Sequence, residues 1–132
     1  MNPEKLEVEP KPVEVTIDIS DGWDTESQIE ILLKELRKQK FYKEGLLYGG
    51  FDATNEPKNS GIIFCSRESE ITSNNENVHN PFIYATNNTE KPAMAVYDPD
   101  KLSYNDEEQG EYAGYKLKQP DALIAVIYLE GI

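Results

Sequence analysis

The sequence predicts an α+β fold: a small, mostly antiparallel β-sheet, open to being split, with one main helix near the N-terminus and a short second helix. Three observations predict it. In "VEVTIDIS" (13–20), Val13, Val15, Ile17 and Ile19 alternate with Glu14, Thr16 and Asp18, the period of a strand with one wet face. Ile29, Leu32, Leu33 and Leu36 then recur at the i, i+3, i+4, i+7 spacing of a helix stripe. The rest of the chain holds short apolar runs punctuated by Gly, Pro and Asn, few of them helical and none repeated, which points to strands in one layered domain.

Taken in order, residues 1–12 carry three prolines among alternating Glu and Lys and read as an extended arm, leaving 13–132 as a single domain. After the first strand, "DGWD" makes a turn, and Thr25 with Gln28 fits a capping box for a helix running to about Lys40. Glu26 and Glu30 come early in that helix and Lys34, Arg37, Lys38 and Lys40 late, as the helix dipole favours. "GLLYGGFDA" (45–53) reads as a strand in which Gly49-Gly50 marks a bulge or a close approach of backbone or ligand. "GIIFCS" reads as a buried strand and 66–80 as a long polar loop. "PFIYAT" is predicted as the next strand, with Thr89 capping a short helix over "EKPAMAVY" in which Pro92 occupies the first turn. Residues 98–110 return to acidic loop, "YAGYKLK" and the turn "QPD" follow, and Leu123 to Leu129 is the strongest strand candidate, placed centrally in the sheet.

At 132 residues the chain is one domain by length and large enough to bury a core without staples. Its 25 acidic and 13 basic residues give a formal charge of −12. That balance opposes direct nucleic-acid binding, which needs clustered cations, and opposes an anionic membrane surface. It favours a basic protein partner. No apolar run approaches membrane-spanning length and the first residues do not form a signal peptide, so a reducing cytoplasm is the expected location. With no secretion signal, the sequon Asn87-Asn88-Thr89 carries no weight. The single cysteine, Cys65, excludes an intrachain disulfide framework and a multi-cysteine zinc site, and its apolar run reads as a core thiol. A Cys–His pair would have to use Cys65 and the lone His79, and neither has a recognisable flanking motif.

No phosphate loop, HExxH, CxxC or GxSxG is present, and "DPDKLSYNDEEQ" lacks the glycine and terminal glutamate of a calcium loop, so no metal is expected. Two pieces carry more specific information. "LLYGGFDA" is followed some way on by "FIYATNNTEKPAMAVYD", and together they resemble the small ADP-ribosyltransferase-like domains. Leu47, Tyr48 and Gly50 match the family's first strand, with Gly49 where its histidine would stand. Tyr84, Ala85, Thr86, Ala93, Ala95 and Tyr97 match a later strand, loop and helix. The resemblance covers about a third of the chain. It implies NAD as cofactor, gripped by Tyr48, Gly49, Gly50, Thr86 and Tyr97. Tyr84 is the implied catalytic aromatic, and Glu111 or Glu108 the glutamate that stabilises the cation developing as the glycosidic bond breaks, with Glu130 a further candidate.

Two functions follow as expectations. One is an ADP-ribosyltransferase-like domain, active or degenerate, serving as an effector, toxin or anti-host factor. The other is a non-enzymatic acidic protein that occupies a basic surface of a partner, as an inhibitor would, with the acidic runs 68–80 and 98–111 as its contacts.

Overall fold

A computed structural model describes residues 11–57, 62–73, 80–105, 114–117 and 120–132. The architecture is α+β, as predicted. Strand β1 (Val13–Asp18) leads to helix α1 (Thr25–Arg37), then β2 (Leu47–Asp52). Two-residue strands β3 (Ile62–Ile63) and β4 (Ser66–Arg67) precede α2 (Glu68–Ser73) and α3 (Pro81–Asn88). The chain closes through β5 (Pro92–Tyr97), β6 (Leu102–Asn105), β7 (Gly114–Leu117) and β8 (Leu123–Glu130), with 3₁₀ turns at Pro99–Lys101 and Pro120–Ala122.

The strands form two sheets: five strands in the order β1-β8-β5-β2-β4 and three in the order β3-β7-β6. β1 runs parallel to β8, with Val13 opposite Ala125 and Asp18 opposite Glu130. The other pairings are antiparallel. The sheet, which the sequence left open to being split, is divided in two, and β8 is an interior strand, flanked on both sides.

Side-chain alternation places a different core on each face of the large sheet. Ile17, Ile19, Tyr48, Met94, Val96, Ala125 and Ile127 point to one face, where they meet the α1 stripe Ile29, Leu32, Leu33 and Leu36 together with Ile71 and Phe82. Leu47, Ala95, Tyr97 and Val126 point to the other, against Ile63 and Leu102 of the small sheet. The molecule is thus layered as helices, large sheet, small sheet, with β2, β5 and β8 buried on both sides.

Three local expectations are corrected. The capping box begins one residue earlier: Asp24 is the N-cap, its Oδ1 accepting from Ser27 N at 2.8 Å while Ser27 Oγ accepts from Asp24 N at 3.1 Å. Gln28 instead reaches back to the Gly22 carbonyl at 3.4 Å.

The larger correction reverses two neighbouring elements. "PFIYAT" is helix, not strand, because Asn80 caps it: Asn80 Oδ1 accepts from Phe82 N at 3.0 Å and Ile83 N at 3.2 Å, and Pro81 sits at the first helical position. "PAMAVY" is strand, not helix, because it lies between β2 and β8 and both neighbours complete its ladder. Thr89 therefore ends a helix rather than starting one.

In the third, part of each supposed loop is structured: β4 and α2 occupy 66–73, and a 3₁₀ turn and β6 occupy 99–105. Most of the N-terminal arm, residues 1–10, lies outside the described residues, as do 74–79 and 106–113. Among the described residues no helix is long and apolar enough to cross a membrane.

Candidate functional site

The paired glycines of β2 stand where α3 and the β3–β4 connection close on the sheet from opposite sides. A methyl group on Gly50 would collide with the Pro81 carbonyl oxygen and lie 3.1 Å from Tyr84 Cδ1. A methyl group on Gly49 would lie 3.1 Å from the Phe64 carbonyl oxygen and 3.7 Å from Tyr97 Cε2. Of the two meanings that paired glycines carry in a strand, close backbone approach applies: β2 continues its ladder through Gly49↔Ala95 and Gly50↔Met94 without a bulge.

This geometry distributes the residues expected to hold NAD. Tyr84 lies against Gly50 on the helix face and is 44% exposed, whereas Tyr97 lies beside Gly49 on the small-sheet face and is 1% exposed. Burial raises the Tyr97 phenol far above its ordinary value. Thr86 sits two residues beyond Tyr84 on α3, its hydroxyl donating to the Ile83 carbonyl at 3.4 Å. Tyr84 and Gly50 are therefore neighbours, Thr86 lies on the same helix but turned away from Tyr84, and Gly49 and Tyr97 belong to the opposite layer. Glu108 and Glu111 fall outside the described residues. Glu130, the last residue of β8, pairs in register with Asp18, and β5 stands between β8 and β2.

Tyr48 is 1% exposed in the helix-side core, and its hydroxyl has no hydrogen-bond partner among the described residues. Burial, reinforced by the charge of Glu68, holds its phenol strongly protonated. Beside it runs a satisfied chain: Tyr42 Oη donates to Glu68 Oε2 at 2.7 Å, and Arg37 pairs with the other oxygen of that carboxylate. A partnerless buried hydroxyl is a cost to the fold. Tyr48→Phe should therefore raise the unfolding free energy by about 1 kcal/mol. Urea denaturation measures this, and a loss of similar size would mean that the hydroxyl is held by a partner.

Cys65 is half-buried in the small-sheet layer, and burial pushes its thiol up to about 12. It is protonated at neutral pH, as a structural thiol should be. His79, its only possible histidine partner, lies outside the described residues. Among the described residues no group of three His, Cys, Asp or Glu side chains is placed to hold a metal.

Asp52, at the end of β2, is a ligand for the chain's own backbone. It accepts from Thr54 N at 2.9 Å, Glu90 N at 3.0 Å and Lys91 N at 3.4 Å, tying the approach to β5 onto β2. These amides, Thr54 first, lower its carboxyl from 3.8 to about 2. A folded pKa below the unfolded one means that the stabilisation is complete above about pH 4 and disappears as pH falls towards 2. Asp52→Asn should accordingly flatten that limb of the stability–pH curve. An unchanged acid limb would reject the assignment.

An open groove of about 430 Å³, marked by no sequence motif, lies between α1 and the outer edge of β1. Ile17 and Ile31 are its apolar lining, and Asp18, Asp21, Lys34 and Glu35 its charged one. Trp23, the only tryptophan, stands two residues from Asp21 and is 89% exposed. Of the groove's three carboxylates only Asp18 belongs to the first strand, Asp21 coming from the turn after it and Glu35 from α1, so only the packing of α1 beside that edge brings them to one concavity.

No family model, curated protein or solved structure matches the chain.

Proposed function

We propose that the chain is a non-catalytic, acidic interaction protein that engages a basic surface of a protein partner. The observation that carries this reading is the occupation of the paired-glycine site by the chain itself. The Pro81 carbonyl fills the space over Gly50, the Phe64 carbonyl closes on Gly49, and Tyr48 and Tyr97 are buried in separate layers. The open concavity instead lies at the β1 edge, where three carboxylates and one ammonium line it. The exposed Trp23, two residues along the chain from the groove's Asp21, suits an interface, where large aromatics dominate binding energy. Attraction between unlike charged surfaces is screened by salt. Proteins captured by the immobilised chain at about 50 mM salt should be rich in Lys and Arg and bind at least about ten-fold more weakly at 300 mM. Capture that ignores salt would count against the reading.

A second reading, an ADP-ribosyltransferase-like domain using NAD, is supported by one placement: Tyr84 lies half-exposed against Gly50, with Thr86 on the same helix. In that reading Glu108 or Glu111 supplies the catalytic carboxylate. Calorimetry with NAD tests it directly: heat of binding that Tyr84→Ala abolishes would favour it, and no heat at millimolar NAD would remove it.

A further inference from the structure

We propose that the outer edge of β1 is a strand-addition site for an extended segment of a partner, one that alternates apolar residues with lysine or arginine. The inference rests on the reading of the chain as an acidic interaction protein and specifies how that protein binds.

β1 is the terminal strand of the large sheet, and among the described residues nothing pairs with its outer side. The direction of its free backbone groups follows from one hydrogen bond. Ile19 N donates to the Glu130 carbonyl at 2.9 Å, so by strand alternation Val13, Val15 and Ile17 also address β8. Glu14, Thr16 and Asp18 therefore turn their N–H and C=O groups outward, a row of donors and acceptors at the period an added strand requires.

Side chains select what can use that row. A strand laid along β1 would place alternate residues on the helix face, over Ile17 and Ile31 in the groove, where apolar side chains fit. The intervening residues would fall beside Glu14, Thr16 and Asp18 on the other face, where cations fit. Asp21 and Glu35, partly offset by Lys34, line the groove and attract a cationic segment at longer range.

A second copy of the chain is a poor occupant. Antiparallel pairing of two β1 edges about Thr16 would set Glu14 of each copy opposite Asp18 of the other, and like charges directly opposed across strands are destabilising. A formal charge of −12 on each molecule adds to that repulsion. The acidic edge therefore blocks self-association while remaining open to a basic strand.

The test uses the full chain and two peptides of equal charge: acetyl-Val-Lys-Val-Lys-Val-Lys-Val-amide, and the same peptide with every valine replaced by proline, which removes four of the seven residue N–H donors and the strand geometry. Amide hydrogen exchange read by NMR should show the valine peptide slowing Thr16 and Asp18 by at least about ten-fold. The proline peptide should leave them unchanged. Thr16→Pro removes one outward amide, a change that edge strands tolerate, and should abolish the protection. If that variant fails to fold, the double variant Asp21→Lys with Glu35→Lys, placed off the strand, should weaken valine-peptide binding at least about ten-fold. Salt-sensitive binding of both peptides with no protection at Thr16 and Asp18 overturns strand addition and leaves the acidic-interaction reading standing. No binding of either peptide at low salt overturns both.

Discussion

Phe82→Ala is expected to cost about 3 to 5 kcal/mol of stability, the largest loss of any substitution considered, while Tyr84→Ala two residues away should cost under about 1. Phe82 is fully buried among Ile71, Met94 and the α1 stripe, so truncating it removes a whole ring from a packed layer. The site also has little freedom to collapse. Asn80, one of two buried polar residues among the described residues, anchors the start of α3 by donating Nδ2 to the Ile71 carbonyl at 3.0 Å and the Glu70 carbonyl at 3.2 Å. The contrast between the two aromatics is diagnostic of periodicity. In a strand, residues 82 and 84 would share a face and suffer together; in α3, Phe82 and Ala85 share the buried face and Tyr84 does not. Urea titrations followed by far-ultraviolet circular dichroism give both values, and equal losses at the two positions would contradict the helix.

Gly50→Ala is expected to cost about 3 kcal/mol, and Gly49→Ala about 1. The methyl group at Gly50 has no room because the Pro81 carbonyl belongs to the capped first turn of α3, which cannot retreat without breaking its bonds to Asn80. At Gly49 the Phe64 carbonyl at 3.1 Å needs to give by only a few tenths of an ångström, and it belongs to a two-residue connection between short strands. These losses should appear in the isolated protein with no ligand added, because the glycines serve packing. Were they reserved for a ligand's approach, alanine would leave stability intact and affect only binding. Thermal unfolding of the two variants, with and without NAD, separates these outcomes.

What the sequence disclosed depended on how much of each element's fate was local. The α1 stripe was unambiguous over thirteen residues, and all four of its predicted apolar positions are buried. The alternation in β1 and the apolar run of β8 were equally plain, since each needs only one or two faces covered. Between 80 and 97 the local signals conflicted. Ile83 and Thr86 favour a strand, yet Asn80 and Pro81 together are a helix start, and that legible signal was outweighed by β-branched residues in a run of only eight. Ala93, Met94 and Ala95 favour a helix, but β5 is small and apolar because β2, β8 and both neighbouring layers press on it. That pressure is tertiary and leaves no periodic trace. The candidate site was legible to the same degree. Gly49-Gly50 announced a bulge or a close approach of backbone or ligand, but which of these it was, and that Phe64 and Pro81 are what approach, depended on the topology.

The parallel pairing of β1 with β8 has a consequence for the order in which the chain is built. Val13 must wait for Ala125, and β8 in turn bridges β1 to β5. Every element from α1 through β7 lies between these partners in sequence, so the surface under the α1 stripe is complete only once β8 is in place. Contacts so distant in sequence make for slow, late-committing folding and a nascent chain that exposes its apolar helix face. A chain in which β1 has not yet met β8 is thus the form most prone to aggregate, and the repulsion of like acidic chains opposes that.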